Sequence, residues 1–513
     1  MEKVDLLIIG GGVNGCGIAR DAAGRGYTVL LAEQADLASG TSSGATKLIH
    51  GGLRYLEHYA FRLVRDSLRE RETLWKIAPH IIWPMRFVLP VDPAGRPAWL
   101  LRLGLAIYDH IGGRQLLQPT RSLALSRDRI ARVLDERFTR AFEYSDCWVD
   151  DARLVVLNAR DAADRGAEIA VRTRVTAVRP QEDGWLADLE DQAVGKPYSV
   201  EARKVGTRHV RARMIVNAAG PWADIVARSA FGNNATSRIR LVRGSHIVLR
   251  YRLPDERAFI FQNADGRVMF AIPYEGTFTL VGTTDAETEA DPSQATPSGE
   301  EIDYLLAGIS ENLRTTFTRA DVAWQFAAVR PLLDSGEAGD AQDATRDYTL
   351  SLEHPRGAPL MTVLGGKLTT YRRLAEAALE KIEAELGPVD TRSAGWTGKV
   401  QLPGGDFPRG GADALAQRLR ADFPFLAAAT CERLVRSYGT RAWDMLGAAT
   451  SCEDLGTHFG AGLTAREIEF LQRTEFAQTA EDILWRRTKC GLHMTAQERD
   501  RCQVGIEDDR PGR

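Results

Sequence analysis

The chain has 513 residues, 44% hydrophobic and 26% charged, and its 66 basic and 69 acidic residues leave a net charge of −3. That length is enough for about two to four domains, and the near balance of charge excludes the strong general pull on polyanions that marks a nucleic-acid binder. The cysteines (Cys16, Cys147, Cys431, Cys452, Cys490, Cys502) are scattered and form no CxxC pair, so no metal is expected and a reducing, cytoplasmic compartment fits. The first residues lack the charged, apolar and small-residue order of a secretion signal. No run approaches the ~20 apolar residues needed to cross a bilayer, so any membrane contact is expected to be peripheral.

In chain order, VDLLIIG from Val4 to Gly10 reads as a parallel strand covered on both faces. It runs into Gly10, Gly12 and Gly15, which have GxGxxG spacing. The first glycine allows a tight turn, the second lets backbone approach a pyrophosphate, and the third lets the next helix pack closely. The positive end of that helix and its free N–H groups then meet the phosphates. The helix continues through Ile18, Ala19, Ala22 and Ala23 to Gly26, and Tyr27 to Ala32 reads as the second strand. Glu33 at its end suits adenosine ribose hydroxyls and disfavours a 2′-phosphorylated cofactor. From Ala38 to Leu56 the chain offers Thr41, Ser42, Ser43, Lys47, His50, Gly51 and Gly52. These supply donors for a long extended cofactor, where a plain nicotinamide unit would proceed to its next helix, and so point to a flavin.

Pro97 to Gly113 is the most apolar local stretch, and two roles compete for it: a helix in the membrane interface that admits quinone, or a buried or dimer-facing helix. MIVNAAGPWAD (214–224) is an apolar strand ending at Ala219 and Gly220, with Pro221 suited to a helix's first turn. Near 360 the pattern recurs, with Gly365 and Gly366 followed by an amphipathic helix from about Leu368. Its positive end, reinforced by Lys367, suits negative charge on a reduced flavin ring. Three glycine-ended strands feeding helices predict an α/β (α+β) chain with one discontinuous Rossmann-like FAD-binding domain over 1–395, mainly 1–80, 150–240 and 350–395. Mixed-sheet substrate-binding regions are inserted at about 81–149 and 241–349. Residues 396–411, with the Gly- and Pro-rich run LPGGDFPRGG, read as a linker, and 412–513 as a C-terminal helical domain. WRRTK (485–489) reads as a solvated basic face, with anionic headgroups as the alternative partner.

The segments TSSGATKLIHGGLRYLEHYAFRLV (41–64), FEYSDCWVDDARLV (142–155), RGSHIVL (243–249), VGTTD (281–285), AAVRPLL (327–333), TRDYTL (345–350) and GGKLTTYRRLAE (365–376) resemble the FAD-dependent glycerol-3-phosphate dehydrogenases, a branch of the D-amino-acid-oxidase-like flavoproteins. The likeness extends over nearly the whole chain. It implies oxidation of C2 of sn-glycerol 3-phosphate to dihydroxyacetone phosphate, hydride delivery to FAD, and electrons leaving to ubiquinone or menaquinone. It further implies peripheral attachment to the cytoplasmic face of the inner membrane, with a homodimer left open. The substrate site it implies is Arg54, Tyr55, His246, Thr283, Arg330, Arg346 and Lys367. To the cofactor contacts it adds Asn14, Leu48, Val175, Trp222, Gly366, Leu368 and Thr369.

The chemistry asks for residues of these kinds. Arginine forks bind a dianionic phosphate bidentately, which favours Arg330 and Arg346 as clamps with Arg54 beside them. The C2 hydroxyl needs a proton acceptor, His246 or His50, and a neighbouring arginine such as Arg330 can stabilise the forming alkoxide. An oxidase that passes its electrons to oxygen, an amine or amino-acid oxidase, and a flavin-holding scaffold are the alternatives.

Overall fold

The apolar strand Glu2–Ile9, fully buried from Leu6 to Ile8, pairs in parallel with Val29–Glu33 on one side and Lys204–Asn217 on the other. The computed structural model describes residues 2–56, 59–113, 116–192, 204–231, 239–263, 265–333, 348–389 and 392–508. Parallel neighbours require crossover connections, and the first is the helix Val13–Gly24. The eight-stranded sheet runs Tyr348–Glu353, Leu360–Gly365, Lys204–Asn217, Glu2–Ile9, Val29–Glu33, Glu168–Val171, with the hairpin Thr173–Gln181 and Gly184–Gln192 attached to Lys204–Asn217. At one edge Tyr348–Glu353 is antiparallel to its neighbour. Helix Val13–Gly24 is buried on nearly every side, because the helices Asp151–Asp164 and Tyr371–Leu386 contribute to the same apolar core.

A ten-stranded sheet lies beside it in the order Ala286–Glu287, Ile239–Leu249, Phe278–Gly282, Val268–Tyr274, Ala258–Gln262, Ile82–Pro90, Arg140–Val149, Leu48–Ile49. Val322–Leu333 also pairs with Ile239–Leu249, and Arg121–Ala124 with Arg140–Val149. Leu48–Ile49 comes from the span expected to serve the cofactor domain, yet it pairs with Trp148 and Cys147 of this second sheet. That short pairing ties the 41–56 segment to the second sheet.

The C-terminal residues form helices with a separate core that includes Leu419, Leu434, Leu446 and Leu471. One sequence expectation fails here, and the linker run after Trp396 is closely packed. Trp396 lies against Gly24, where a Cβ would come within 2.0 Å of its ring, and Leu402 is 1% exposed with its N–H on Ile77 O at 2.8 Å. Arg20 adds bonds to Thr397 O at 3.2 Å and Val400 O at 2.9 Å. Glycine in this run serves close approach, since a Cβ on Gly404 (φ +85°) would stand 2.1 Å from Tyr438 O.

WRRTK is not a solvated face. Arg487 is fully buried and donates to both oxygens of Asp36 at 2.8 and 2.7 Å, Arg486 to Asp36 and Asp482 at 2.6 Å each, and Lys489 to Asp150 at 3.1 Å. Burial alone would raise the Asp482 carboxyl, but Arg486 and Arg172 outweigh it and hold Asp482 well below the usual carboxylate range. Asp36 and Asp150 come from segments hundreds of residues away, so no local pattern announces them, whereas Asp482 stands one turn before Arg486. Asp36 lies three residues past Glu33, and these arginines therefore anchor the loop that follows the second strand.

The helix Ala98–Ile111 combines features of both expected roles. Leu105 and Tyr108 are buried, while Trp99, Leu100, Leu103 and Ile107 are 68, 42, 51 and 37% exposed. No helix among the described residues is long and apolar enough to cross a membrane.

Candidate functional site

The carboxyl ends of three strands, at Ile9, Asn217 and Gly365, open onto one cavity of about 940 Å³. This is at the upper end of the roughly 300–1,000 Å³ usual for small-molecule sites, and it lies where open parallel sheets bind their ligands. Gly10, Gly12 and Asn14 line it from the first corner, Ala219, Gly220 and Trp222 from the second, and Gly366, Lys367, Leu368 and Thr369 from the third. Glu33, Thr41, Ser42, Leu48, His50 and Val175 complete the expected cofactor contacts that face it.

The glycines leave no room for side chains. At Gly10 (φ +113°) a Cβ would stand 2.6 Å from Ala218 O, and at Gly15 it would stand 2.0 Å from Gly10 O. Gly15 thus stays off the cavity wall and serves the close packing of helix on strand. Ser42 Oγ accepts the N–H of Val13 at 3.0 Å, which docks the 41–43 turn on the helix start. Asn14 Nδ2 donates to Gly365 O at 3.3 Å and joins the first corner to the third. Its Oδ1 is buried and has no hydrogen-bond partner among the described residues. Glu33 accepts the N–H groups of Gly11 at 2.7 Å and Ala35 at 2.8 Å, so its carboxyl is fixed at the strand end, although burial pushes it above its ordinary range. A carboxylate has about four acceptor positions, so ribose hydroxyls still find capacity there. A backbone cradle at a helix start, an orphaned amide oxygen and a fixed acid fit a dinucleotide cofactor.

Arg330 and the histidines reach the same cavity from the second sheet, and Lys367 reaches it from the third corner of the first. Arg330 donates to Asp285 at 2.5 Å, to Thr283 Oγ1 at 3.3 Å and to Thr284 O at 3.1 Å, so its guanidinium is aimed by the 283–285 turn. Lys367 Nζ stands 3.6 Å from the centre of the Tyr55 ring, a cation–π contact. His246 stacks on Phe326 with centroids 5.0 Å apart, and its Nε2 is 3.1 Å from Thr46 Oγ1. Burial first, then Arg330 and Lys47, drive the His246 imidazole well below its ordinary pKa. It is therefore neutral near pH 7 and able to accept a proton. His50 also lines the cavity, edge-on to Phe270 at 6.5 Å, so the cavity presents both candidate acceptors.

Several expected residues are placed elsewhere. Lys47 turns inward at φ 61°, and its Nζ bonds both oxygens of Asp151, at 2.8 and 2.9 Å, and Ser43 O at 3.0 Å. A buried carboxylate more than a hundred residues away has captured it, and Ser43 contributes its carbonyl to that lysine instead of lining the cavity. Gly51 is also off the wall, with its N–H on Tyr108 Oη at 2.8 Å. The backbone of Arg54 lies in the one-turn helix Leu53–Leu56 beside Tyr55. Arg346 falls outside the described residues. Thr46 and Asp285, both inside recognisable segments, were not among the expected site residues, because their roles arise from contacts with His246 and Arg330 across the fold.

A family model described as FAD dependent oxidoreductase matches residues 5–372, and one described as the C-terminal domain of alpha-glycerophosphate oxidase matches 396–503. The chain is 46% identical to D-erythritol 1-phosphate dehydrogenase of Brucella abortus (strain 2308), over 97% of this chain and 96% of that protein. To aerobic glycerol-3-phosphate dehydrogenase of Escherichia coli (strain K12) it is 45% identical, over 98 and 97%. The solved glycerol-3-phosphate dehydrogenase of Bacillus halodurans, complexed with FAD, matches with a TM-score of 0.74 at 25% identity, over 99% of this chain and 94% of that one.

Proposed function

From its membership of the FAD-dependent glycerol-3-phosphate dehydrogenase family, to which this chain belongs, we propose that the protein oxidises C2 of sn-glycerol 3-phosphate to dihydroxyacetone phosphate and delivers the electrons to a membrane quinone. The observation that carries this reading is the convergence of the glycine corners with Arg330, Lys367, Thr283 and two histidines on one cavity. Bound FAD supplies the hydride acceptor. Arg330 and Lys367 supply fixed positive charge for the phosphate, and Asp285 holds the Arg330 fork in place. His246 is the favoured acceptor of the C2 hydroxyl proton. Burial first, then Arg330 and Lys47, make it a weak base, and an arriving phosphate dianion offsets part of the cationic contribution.

The D-erythritol 1-phosphate dehydrogenase relative, as similar as the glycerol-3-phosphate enzymes, favours a second reading in which a four-carbon polyol phosphate is oxidised. Steady-state kinetics with both substrates decide between them. The first reading expects the higher kcat/KM with sn-glycerol 3-phosphate, and a preference for D-erythritol 1-phosphate establishes the second.

The reading also places the protein on the cytoplasmic face of the inner membrane through Ala98–Ile111. Its outward side presents Trp99, Leu100, Leu103 and Ile107 with exposed Arg102 between them, the composition of a helix that lies in a lipid interface. Leu105 belongs to the inner side and is fully buried. Exposing two leucines' worth of lipid contact costs about 3 kcal/mol or more. The double variant Leu100→Glu, Leu103→Glu is therefore expected to bind vesicles at least ~100-fold more weakly while keeping its FAD. Unchanged sedimentation with vesicles removes this helix from the membrane contact.

A further inference from the structure

The segment from His50 to Leu56 carries two cavity residues, His50 and Tyr55, and between them Gly51 points its buried N–H away from the cavity. That N–H donates to Tyr108 Oη at 2.8 Å. Tyr108 Oη donates in turn to Asp146, whose two oxygens both lie at 2.9 Å. Asp146 is held by Arg71 Nη1 at 2.6 Å, which also donates to Ser145 O at 2.8 Å. Tyr108 and Asp146 are 2% exposed and Arg71 is 4% exposed. None of the three lines the cavity, and the mechanism above uses none of them.

The arrangement has a fixed direction. A tyrosine hydroxyl has one proton to give, and the carboxylate takes it, so the oxygen's lone pairs are left for Gly51. The segment around Gly51 has little slack. A Cβ on Gly51 would meet Leu68 at 2.7 Å and the Tyr108 ring at 2.8 Å, and one on Gly52 (φ +76°) would meet the Tyr55 ring at 2.2 Å. Leu53, Tyr55 and Leu56 pack on the same apolar cluster as Leu105 and Tyr108. Tyr55 then carries Lys367 over its ring at 3.6 Å.

We propose that Tyr108 is a positioning residue for the substrate side of the cavity. By holding Gly51 it fixes where His50 and Tyr55 stand, and through Tyr55 it fixes Lys367. This rests on the reading of the cavity as a polyol-phosphate site.

The test is Tyr108→Phe in the full-length holoenzyme, which keeps the ring edge-on to Tyr144 at 5.9 Å and removes only the bridging oxygen. Misplacement of site groups by about 1 Å costs up to ~100-fold, and a bridge that shifts them by a fraction of this is expected to raise KM for sn-glycerol 3-phosphate about tenfold. FAD content, melting temperature and kcat should stay close to wild type, and amide hydrogen exchange at Gly51 should accelerate. A wild-type KM, unchanged exchange at Gly51, or a loss of FAD in step with activity overturns the proposal. If sn-glycerol 3-phosphate fails to reduce even the wild-type flavin, the functional reading falls. Exchange at Gly51 and across His50–Tyr55 then decides by itself whether Tyr108 sets this segment.

Discussion

Replacing Arg330 with alanine is expected to lower kcat/KM for sn-glycerol 3-phosphate about 10³-fold and to leave FAD bound. The guanidinium is fixed in the cavity wall by Asp285, Thr283 and Thr284, so it meets an anionic substrate without first having to be ordered. Removing one such preorganised donor typically costs about 10²–10³ in rate. Here the loss also leaves the negative charge of Asp285 facing the phosphate. Arg330→Lys should recover only part of the activity, because an ammonium lacks the planar fork that spans Asp285 and Thr283. The same substitution has a pH signature. Arg330 is one of the charges that depress His246, so its removal raises that imidazole's pKa. A base must be unprotonated to work, and the acid limb of the residual kcat/KM profile therefore moves to higher pH. Flavin content with steady-state kinetics across pH measures both effects, and a loss under tenfold makes Arg330 an ion-pair residue outside the chemistry.

The second large effect is expected at Gly15. A single methyl there would stand 2.0 Å from Gly10 O, against backbone that has no side-chain freedom to yield. Gly15→Ala must push the helix start away from the first glycine corner, and a displacement near 1 Å at a preorganised site costs on the order of 100-fold. The variant should fold, by circular dichroism, yet be purified largely colourless with FAD affinity lowered about 100-fold. Equal FAD retention in wild type and Gly15→Ala removes the glycine corner from cofactor binding.

These two sites illustrate what a single sequence can disclose. The glycine spacing, the terminal Glu33 and the glycine-ended strands near 219 and 365 were legible because a tight turn and a backbone approach demand glycine locally. The parallel strands were legible for a similar reason, since burial on both faces erases polar alternation. What escaped was pairing across long separations. Lys47 looked like a cofactor residue until Asp151 captured it, and WRRTK looked solvated until Asp36 and Asp150 neutralised it. A charged side chain's partner is set by the fold, so its destination cannot be read from neighbours in sequence. The packing of the run after Trp396 was illegible for another reason, because glycine and proline signal a turn without saying whether that turn is slack or packed. Tyr108 was hidden inside an apolar helix whose two sides face different surroundings.

The most direct test mixes the purified yellow protein with sn-glycerol 3-phosphate under argon and follows its visible spectrum. Loss of the flavin band, followed by its return when a soluble ubiquinone analogue is added, is the predicted course. A protein that takes up no FAD, or a yellow protein whose spectrum neither sn-glycerol 3-phosphate nor D-erythritol 1-phosphate changes, contradicts the account.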